Sequence, residues 1–386
     1  MKNKLKVVIL PTAYPNIYRD HSSIFVQDQA EALAKYEDLH VNVIGALPVS
    51  LKQVWSKKLF KFGIFKHNKN NVNVKILLFP AIPKLRRFNN FLRCYLNKKL
   101  IKKHLDYNKI DLIHVHNSVA GEAAVWVKKA YNIPFIVTEH SSAFARKTVK
   151  KKEIKLFEKI YKESCYNIAV SEKFCKLLHE TFNIKFEYVP NVVDTDFFIP
   201  AKKNNDKQRF RFINIANLNE NKNQKALINA FIKAFKGNKN VLLSIFGNGP
   251  EYFNLQNEIS NNGTQSQIIL HGYADRGTVK RELQQSDAFV LSSKYETFGV
   301  VLIESMSCGL PVIATKCGGP ESIITDEKLG ILVENGNIGE LSKAMQKVFN
   351  SNYDSTYLRK YAVENFSEKA VSDKLINIYR EICNAN

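Results

Sequence analysis

Residues 292–321 read SSKYETFGVVLIESMSCGLPVIATKCGGPE, and the order of features within them decides the fold. One apolar run of strand length, 288–291, precedes the stretch, and a second, 312–315, lies inside it. Between them, the spacing of Phe298, Val300, Val301, Leu302, Ile303 and Met306 predicts an apolar helix. Strand, helix and strand in succession is the repeating unit of a parallel α/β sheet. Glu296 falls in the strand-to-helix loop, and Glu304, eight residues further on, falls inside the helix. Thr297, Phe298, Gly299 and Val300 are expected to open that helix, where N–H groups without intrahelical acceptors attract phosphate. Six residues of straight helix, from Phe298 to Glu304, span roughly 9 Å, comparable with the reach from a diphosphate to a nucleoside ribose. A carboxylate outside the helix suits sugar hydroxyls, and one inside it suits the ribose. Gly318, Gly319, Pro320 and Glu321 then add a second tight turn at the end of the following strand, the edge where open α/β sheets bind ligands.

The same rhythm continues outward in both directions. In the first half, apolar runs at 6–10, 41–45, 74–79, 111–116, 135–139 and 167–170 read as strands. In the second half, the runs are 210–216, 241–246, 268–271, 288–291, 312–315 and 331–333, so two six-strand halves are expected. Residues 200–209, PAKKNNDKQR, are polar and aperiodic and make the best connector. The expected division is an N-terminal domain over 1–199, a linker over 200–209 and a C-terminal domain over 210–367, with 368–386 remaining after it. The last 30 residues carry helical apolar spacing and no further strand.

A chain of 386 residues with 45% hydrophobic content is long enough for two cores. Its six cysteines form no Cys-x2-Cys pair and no zinc spacing with histidine, so reduced packing residues are expected. The opening MKNKLKVVILPTAYP has an apolar run of four residues ended by proline, too short for a signal or a membrane span. It reads as the first strand, and cytoplasmic residence is the expectation.

The ordered series SDAFVLSS, YETFGVVLIESMSCGLPVIAT, GGPESII and GILVENGN resembles the Glu-x7-Glu signature of retaining glycosyltransferases of family 4, the group 1 enzymes. That family includes sucrose synthases, glycogen synthases and bacterial lipopolysaccharide and capsule enzymes. The resemblance implies a GT-B fold: two Rossmann-like α/β domains facing across a cleft, with a C-terminal helix crossing back to the first. It implies a nucleotide-sugar co-substrate, here expected to be a UDP-sugar, with no cofactor; no Asp-x-Asp pair falls in a fitting loop, so a metal-independent reaction is expected. Glu296 would orient the sugar and Glu304 grip the ribose. In NIANLNENKNQKALINAFI, Lys222 takes the place of the lysine that neutralises the donor diphosphate, while Asn217 replaces the family's usual arginine and leaves that clamp one charge short. Gly247 and Gly249, in LSIFGNGPEYFNL, either end a strand or let the backbone meet the nucleotide. Tyr273, in HGYADR, falls in the loop that lines the base. In the first domain, Ser22 and Ser23 stand where paired glycines often meet phosphate or acceptor. His140, at the end of a strand, corresponds to a histidine near the transferred sugar, and His116 occupies a similar edge where the acceptor passes.

Charge is distributed unevenly. Of 57 Lys plus Arg, 34 precede residue 200 against 17 of the 36 acids, so this half carries +17 of the formal +21. Residues 51–109 hold 16 basic residues and one acid, Asp106, interleaved with Trp55, Phe60, Phe62, Phe65, Phe88, Phe91 and Tyr95. Arg86, Arg87, Arg93, Lys98, Lys99, Lys102 and Lys103 surround the amphipathic run FNNFLRCYLNKKLIKKHL. Such a segment is either a solvated basic face or a contact with an anionic membrane surface. No nucleic-acid-binding signature accompanies it. Three functions fit: a transferase acting on a glycan or glycolipid acceptor at the inner face of a membrane, a nucleotide-sugar epimerase on the same fold, or a catalytically idle sugar-nucleotide-binding protein. The first keeps Glu296, Glu304 and Lys222 in use.

Overall fold

The computed structural model describes residues 4–19, 23–106, 108–201 and 209–385. The chain forms two compact units, Met1–Val192 with Glu368–Asn386, and Val193–Ser367. Residues 193–199 fold with the second unit because Phe198 is fully buried and the Arg359 guanidinium donates to the carbonyls of Thr195 and Phe198 at 3.2 and 2.9 Å. Most of the 200–209 connector expected from sequence lies outside the described residues.

The first unit runs β1 (Leu5–Pro11), α1 (Ile24–Leu33), β2 (Leu39–Ser50), α2 (Leu51–Ser56), β3 (Gly63–Lys69), β4 (Val72–Ala81), α3 (Arg86–Leu105), β5 (Leu112–His116), α4 (Gly121–Tyr131), β6 (Phe135–Glu139), α5 (Lys151–Glu163), β7 (Tyr166–Ala169), α6 (Glu172–Phe182) and β8 (Glu187–Tyr188). Its sheet is ordered β3-β4-β2-β1-β5-β6-β7-β8. All neighbours are parallel except β3, which pairs antiparallel with β4. This corrects the six-strand expectation for this half. The strand GIFKHNK lies at the sheet edge with most of its residues exposed, so no apolar run marks it, and β8 is two residues long. The interior strands β5 and β6 are buried at every position, which is why they read as continuous apolar runs.

The second unit contains β9 (Phe210–Ile215), α7 (Gln224–Phe235), β10 (Val241–Phe246), α8 (Tyr252–Asn261), β11 (Ile268–Gly272), α9 (Arg276–Gln284), β12 (Ala288–Leu291), α10 (Val300–Ser307), β13 (Val312–Thr315), β14 (Gly330–Val333), α11 (Ile338–Phe349) and α12 (Ser355–Phe366). Its all-parallel sheet is ordered β11-β10-β9-β12-β13-β14. In chain order this is 3-2-1-4-5-6, the doubly wound arrangement, whose direction reverses between β9 and β12. At such a reversal the helices that follow the two neighbouring strands lie on opposite faces of the sheet, and the loops at the strands' carboxyl ends border a crevice.

The final helix, α13 (Glu368–Asn384), belongs to the first unit. Its apolar face, including Val371, Leu375, Ile376 and Tyr379, joins the core built on β1, β2 and β4. Tyr36 donates to Asp373 at 2.7 Å, and the buried Tyr379 hydroxyl lies 2.7 Å from His114 Nδ1 on β5. Replacing Tyr379 with Phe leaves that imidazole nitrogen buried without a partner, a loss of about 1–3 kcal/mol. Thermal unfolding of Tyr379→Phe is expected to show a lowered midpoint, and an unchanged midpoint would contradict this anchoring role.

Candidate functional site

In the second unit, the loop after β9 and the loop after β12 are tied together by three hydrogen bonds to backbone carbonyls. The Lys294 amide donates to Asn221 O at 2.7 Å, Asn221 Nδ2 donates to Tyr295 O at 3.0 Å, and Ser292 Oγ donates to Lys222 O at 2.9 Å. These bonds bring together two residues 74 positions apart in sequence. The Lys222 ammonium forms an ion pair with Glu296 Oε1, and Ser293 Oγ donates to the same oxygen at 2.9 Å. Both charged side chains are mostly covered, with 23% and 15% exposure. Nothing in the sequence marks Ser293, because a serine two residues past a strand carries no distinguishing pattern.

Glu296 is positioned by its own main chain. Its amide donates to Cys317 O at 3.0 Å and its carbonyl accepts from the Gly319 amide at 2.8 Å, forming a single bridge with Gly318. Gly318 sits at φ +123, and a Cβ there would come within 2.5 Å of Glu296 O. At Gly319 a Cβ would lie 2.0 Å from Phe298 O. The glycine pair therefore lets two backbone segments touch. Glu321 closes the turn by accepting from the Gly318 amide at 2.9 Å.

The helix start differs from the expectation. α10 begins at Val300, capped by Gly299 at φ +118, a conformation outside the helical region. Thr297 and Phe298 thus precede the helix, and Phe298 turns its ring into the core, edge-on to Phe366 at 6.0 Å. Only its backbone faces the loop. The amides of Phe298, Gly299 and Val300 have no hydrogen-bond acceptor among the described residues, and the first turn holds no acidic residue. Glu304 lies one turn along, half-buried, about 6 Å from the helix start, less than the roughly 9 Å expected for a helix opening at Phe298.

Gly247 and Gly249 have a packing cause. The Gly247 amide donates to Gly272 O at 2.7 Å, and the Leu218 amide donates to Asn248 O at 3.0 Å, pressing this turn onto residues 216–218. A Cβ at Gly247 would lie 1.8 Å from Ala216 O, and one at Gly249 would lie 2.0 Å from Leu218 O. Asn217 and Tyr273 are exposed beside this turn.

In the first unit, His114, His116 and His140 form a buried row. His116 Nδ1 and His140 Nε2 are 2.9 Å apart, with rings stacked at 5.2 Å and 10°, and His114 packs on His116 at 4.4 Å. Burial is the main cause that holds all three below their ordinary range; His116 lies at about 3. They are neutral at physiological pH. The neighbouring Glu139, fully buried, organises the loop: it accepts from the amides of Ser118, His140 and Ser141 at 2.9, 3.1 and 3.0 Å and from the Tyr161 hydroxyl at 2.7 Å. Asn117, at φ +69, accepts from the His140 amide at 2.9 Å and donates to Thr12 Oγ1 at 2.9 Å, joining the ends of β5, β6 and β1. Of the serine pair, Ser22 lies outside the described residues, and Ser23 adopts a left-handed conformation with no side-chain cap on α1. Arg93, grouped by sequence with the surface charges, is buried, because it lies on the helix that packs against β2 and α4.

Known proteins match both units. The Glycosyltransferase Family 4 model matches residues 25–197, and the model of glycosyl transferases group 1 matches residues 196–365. The chain is 25% identical over 336 residues to an uncharacterised glycosyltransferase of Methanocaldococcus jannaschii, covering 81% of this chain and 85% of that one. It is 26% identical over 309 residues to the UDP-Gal:alpha-D-GlcNAc-diphosphoundecaprenol alpha-1,3-galactosyltransferase of Escherichia coli, covering 73% and 77%. Among solved structures, sucrose-phosphate synthase from Thermosynechococcus elongatus aligns with a TM-score of 0.79 at 17% identity, over 99% of this chain and 100% of that one. The fold is therefore GT-B. The chain belongs to the group 1 glycosyltransferases of family 4.

Two outcomes test this geometry. Gly319→Ala forces the Phe298 backbone away and is expected to lower the thermal midpoint of the second unit; a wild-type midpoint would show the contact to be slack. The histidine row gives a pH dependence. Because the folded values lie below the ordinary 6.5, unfolding takes up protons below that pH. Stability is complete above about 6.5 and is lost as the pH falls toward 3. Thermal midpoints measured from pH 7 to pH 5 should fall in the wild type and fall less steeply in His116→Asn. Equal slopes would contradict the assignment.

Proposed function

We propose that this glycosyltransferase moves a hexose-type sugar from a nucleotide-sugar, a UDP-sugar, to a lipid-linked or surface-polysaccharide acceptor, with retention of anomeric configuration and without a metal ion. The observation that carries the donor site is the Lys222–Glu296 pair at the sheet reversal, beside the open amides of Phe298, Gly299 and Val300. In the ligand-free chain the carboxylate neutralises the ammonium. A donor diphosphate supplies a second anion for Lys222 and an acceptor for the amides, which frees Glu296 to accept hydrogen bonds from the sugar hydroxyls.

Transfer then depends on stabilising the departing diphosphate more strongly than the bound donor. As the bond from the anomeric carbon to the phosphate oxygen lengthens, negative charge grows on the phosphate, and Lys222 and the α10 amides meet it. The acceptor hydroxyl attacks from the face the diphosphate leaves and passes its proton to the phosphate oxygen, which preserves configuration. Glu304 holds the ribose, and Gly247, Gly249, Asn217 and Tyr273 border the nucleotide. His140, neutral and fixed through its amide by Asn117, offers the transferred sugar a polar partner that does not compete for charge. The Escherichia coli relative, which by its name uses UDP-Gal and a diphosphoundecaprenol-linked sugar, supports both the UDP donor and the lipid-linked acceptor.

The surface of the first unit supports the reading of a membrane-facing acceptor domain. Among the described residues no helix is long and apolar enough to cross a membrane. Leu85, Phe88, Phe91 and Tyr95 are nevertheless exposed at helical spacing along the start of α3, and Trp55 and Phe60 are each 71% exposed. Basic residues flank this stripe, with Lys99 over the Tyr95 ring at 4.7 Å. An aromatic face bordered by lysines suits the interface of an anionic bilayer at the inner face of the cell membrane.

Glu296→Gln and Lys222→Ala are each expected to reduce sugar transfer by about two orders of magnitude or more, the scale of losing a group that stabilises the transition state. Both variants should keep wild-type circular dichroism. Undiminished turnover in both would remove the donor-site assignment. Co-sedimentation with anionic liposomes should fall when Lys98, Lys99, Lys102 and Lys103 are made neutral, and unchanged sedimentation would return these charges to a solvated face.

A further inference from the structure

A cavity of about 460 Å³ opens in the first unit where the carboxyl ends of β1, β2, β4 and β5 meet the start of α3. Four cationic side chains line it, Arg19, Lys84, Arg86 and Arg93, and no acidic residue does. Arg93 forms its inner wall. It is 8% exposed, its Nε has no hydrogen-bond partner, and it makes no ion pair among the described residues. Burial and the nearby Arg86 bring its guanidinium down to about 10, so it stays charged at neutral pH. A buried charge without a counter-charge is costly, and removing it from water is offset only by an anion in hydrogen-bonding contact.

Two further features point the same way. α3 opens with Arg86 and Arg87, has no side-chain cap and has no acid in its first turn. Cations at a helix N-terminus oppose its dipole, an arrangement that an anion bound among them reverses. Lys84 is held at φ +61, with the surrounding loop closed by two hydrogen bonds, both 2.9 Å, between the Asn89 side chain and the Ile82 backbone. A lysine in this strained conformation marks a place where its direction is fixed. Arg86 is partly countered by Glu153 at 3.1 Å, which leaves Arg93, Lys84 and Arg19 as the uncompensated charges among the described residues. The outer edge is apolar, with Ile82, Leu85 and Phe88 exposed.

We propose that this cavity is an anion subsite that seats the phosphoryl or diphosphoryl group of a phosphorylated acceptor, with Arg93 as the deep, planar contact and Lys84 and Arg19 at the mouth. It rests on the glycosyltransferase reading and names the acceptor's chemical class: an acceptor that bears phosphate beside the sugar it offers. A guanidinium meets two phosphate oxygens at once, and a lysine follows as a mobile point charge. Its residues belong to the first unit, whereas the Lys222 pair, which serves the donor's diphosphate, belongs to the second.

Isothermal titration of the full chain with inorganic diphosphate, farnesyl diphosphate, farnesol and UDP, in wild type, Arg93→Met and Lys222→Ala, tests this. Diphosphate is expected to fill a site that survives Lys222→Ala and weakens about tenfold or more in Arg93→Met, the loss of a charge-assisted contact. Arg93→Met should keep UDP binding and melt at or above the wild-type temperature, since an uncompensated buried charge has gone. A purely structural arginine would lower the melt. Tighter binding of farnesyl diphosphate than of inorganic diphosphate identifies a lipid-linked acceptor, and equal binding identifies a soluble phosphorylated one. Diphosphate binding that Arg93→Met leaves unchanged, or farnesol binding equal to that of farnesyl diphosphate, would overturn the subsite. Loss of UDP binding from the wild type with the Arg93-dependent site intact would instead overturn the donor reading. If Arg93→Met fails to fold, the exposed double variant Arg19→Gln with Lys84→Gln carries the same test, and undiminished diphosphate binding in it overturns the proposal.

Discussion

The position of Glu296 depends on a backbone contact that tolerates no side chain. Its amide and carbonyl are both engaged by the turn at 317–319, and the two glycines there approach Glu296 and Phe298 more closely than any Cβ allows. A carboxylate fixed through its main chain keeps its direction when its side-chain partner changes. That matters for a residue that pairs with a lysine in the free chain and, in our reading, with sugar hydroxyls in the loaded one. The pairing itself follows from topology. β9 and β12 are neighbours at the reversal of the sheet, so residues 74 positions apart emerge side by side.

The first unit solves a similar positioning problem with polar burial. Glu139 accepts from three amides and a tyrosine hydroxyl, Asn117 bridges three strand ends, and a neutral histidine row extends to Tyr379 on α13. Every bond in this network links segments distant in sequence or turns a loop sharply. The final helix is therefore part of the scaffold behind His116 and His140. The sheet edge they occupy also borders the cationic cavity through Asn117 and Ser141. Buried polar networks of this kind hold one geometry because each partial arrangement leaves a costly unpaired group.

Much of the second unit was legible in sequence because its parallel strands are covered on both faces and appear as uninterrupted apolar runs, such as 288–291 and 312–315. The edge strand β3 was not legible, since its residues are largely polar and exposed and its position is set only by pairing with β4. Apolar spacing places Phe298 on α10, two residues ahead of the true start, because it cannot register the positive φ of Gly299 that separates loop from helix. The motif marks Lys222 and Glu296 as candidates, whereas no pattern marks the Ser293 bond to the Glu296 carboxylate. Arg93 shows the opposite limit. In the sequence it is one of many basic residues on an amphipathic helix, and only the helix's rotation against the sheet reveals that this one is buried while Lys99 is exposed.

On our proposal, Lys222, Glu296 and the α10 amides form a nucleotide-sugar donor site. The most direct measurement is the thermal midpoint of the full chain in a series of UDP, GDP and ADP concentrations, with Lys222→Ala alongside. A ligand that binds only the folded state raises the midpoint by mass action. UDP is expected to raise the wild-type midpoint in a saturable manner, and Lys222→Ala to remove most of the rise. A UDP-induced rise that survives intact in Lys222→Ala, or no rise with any of the three nucleotides, would contradict it.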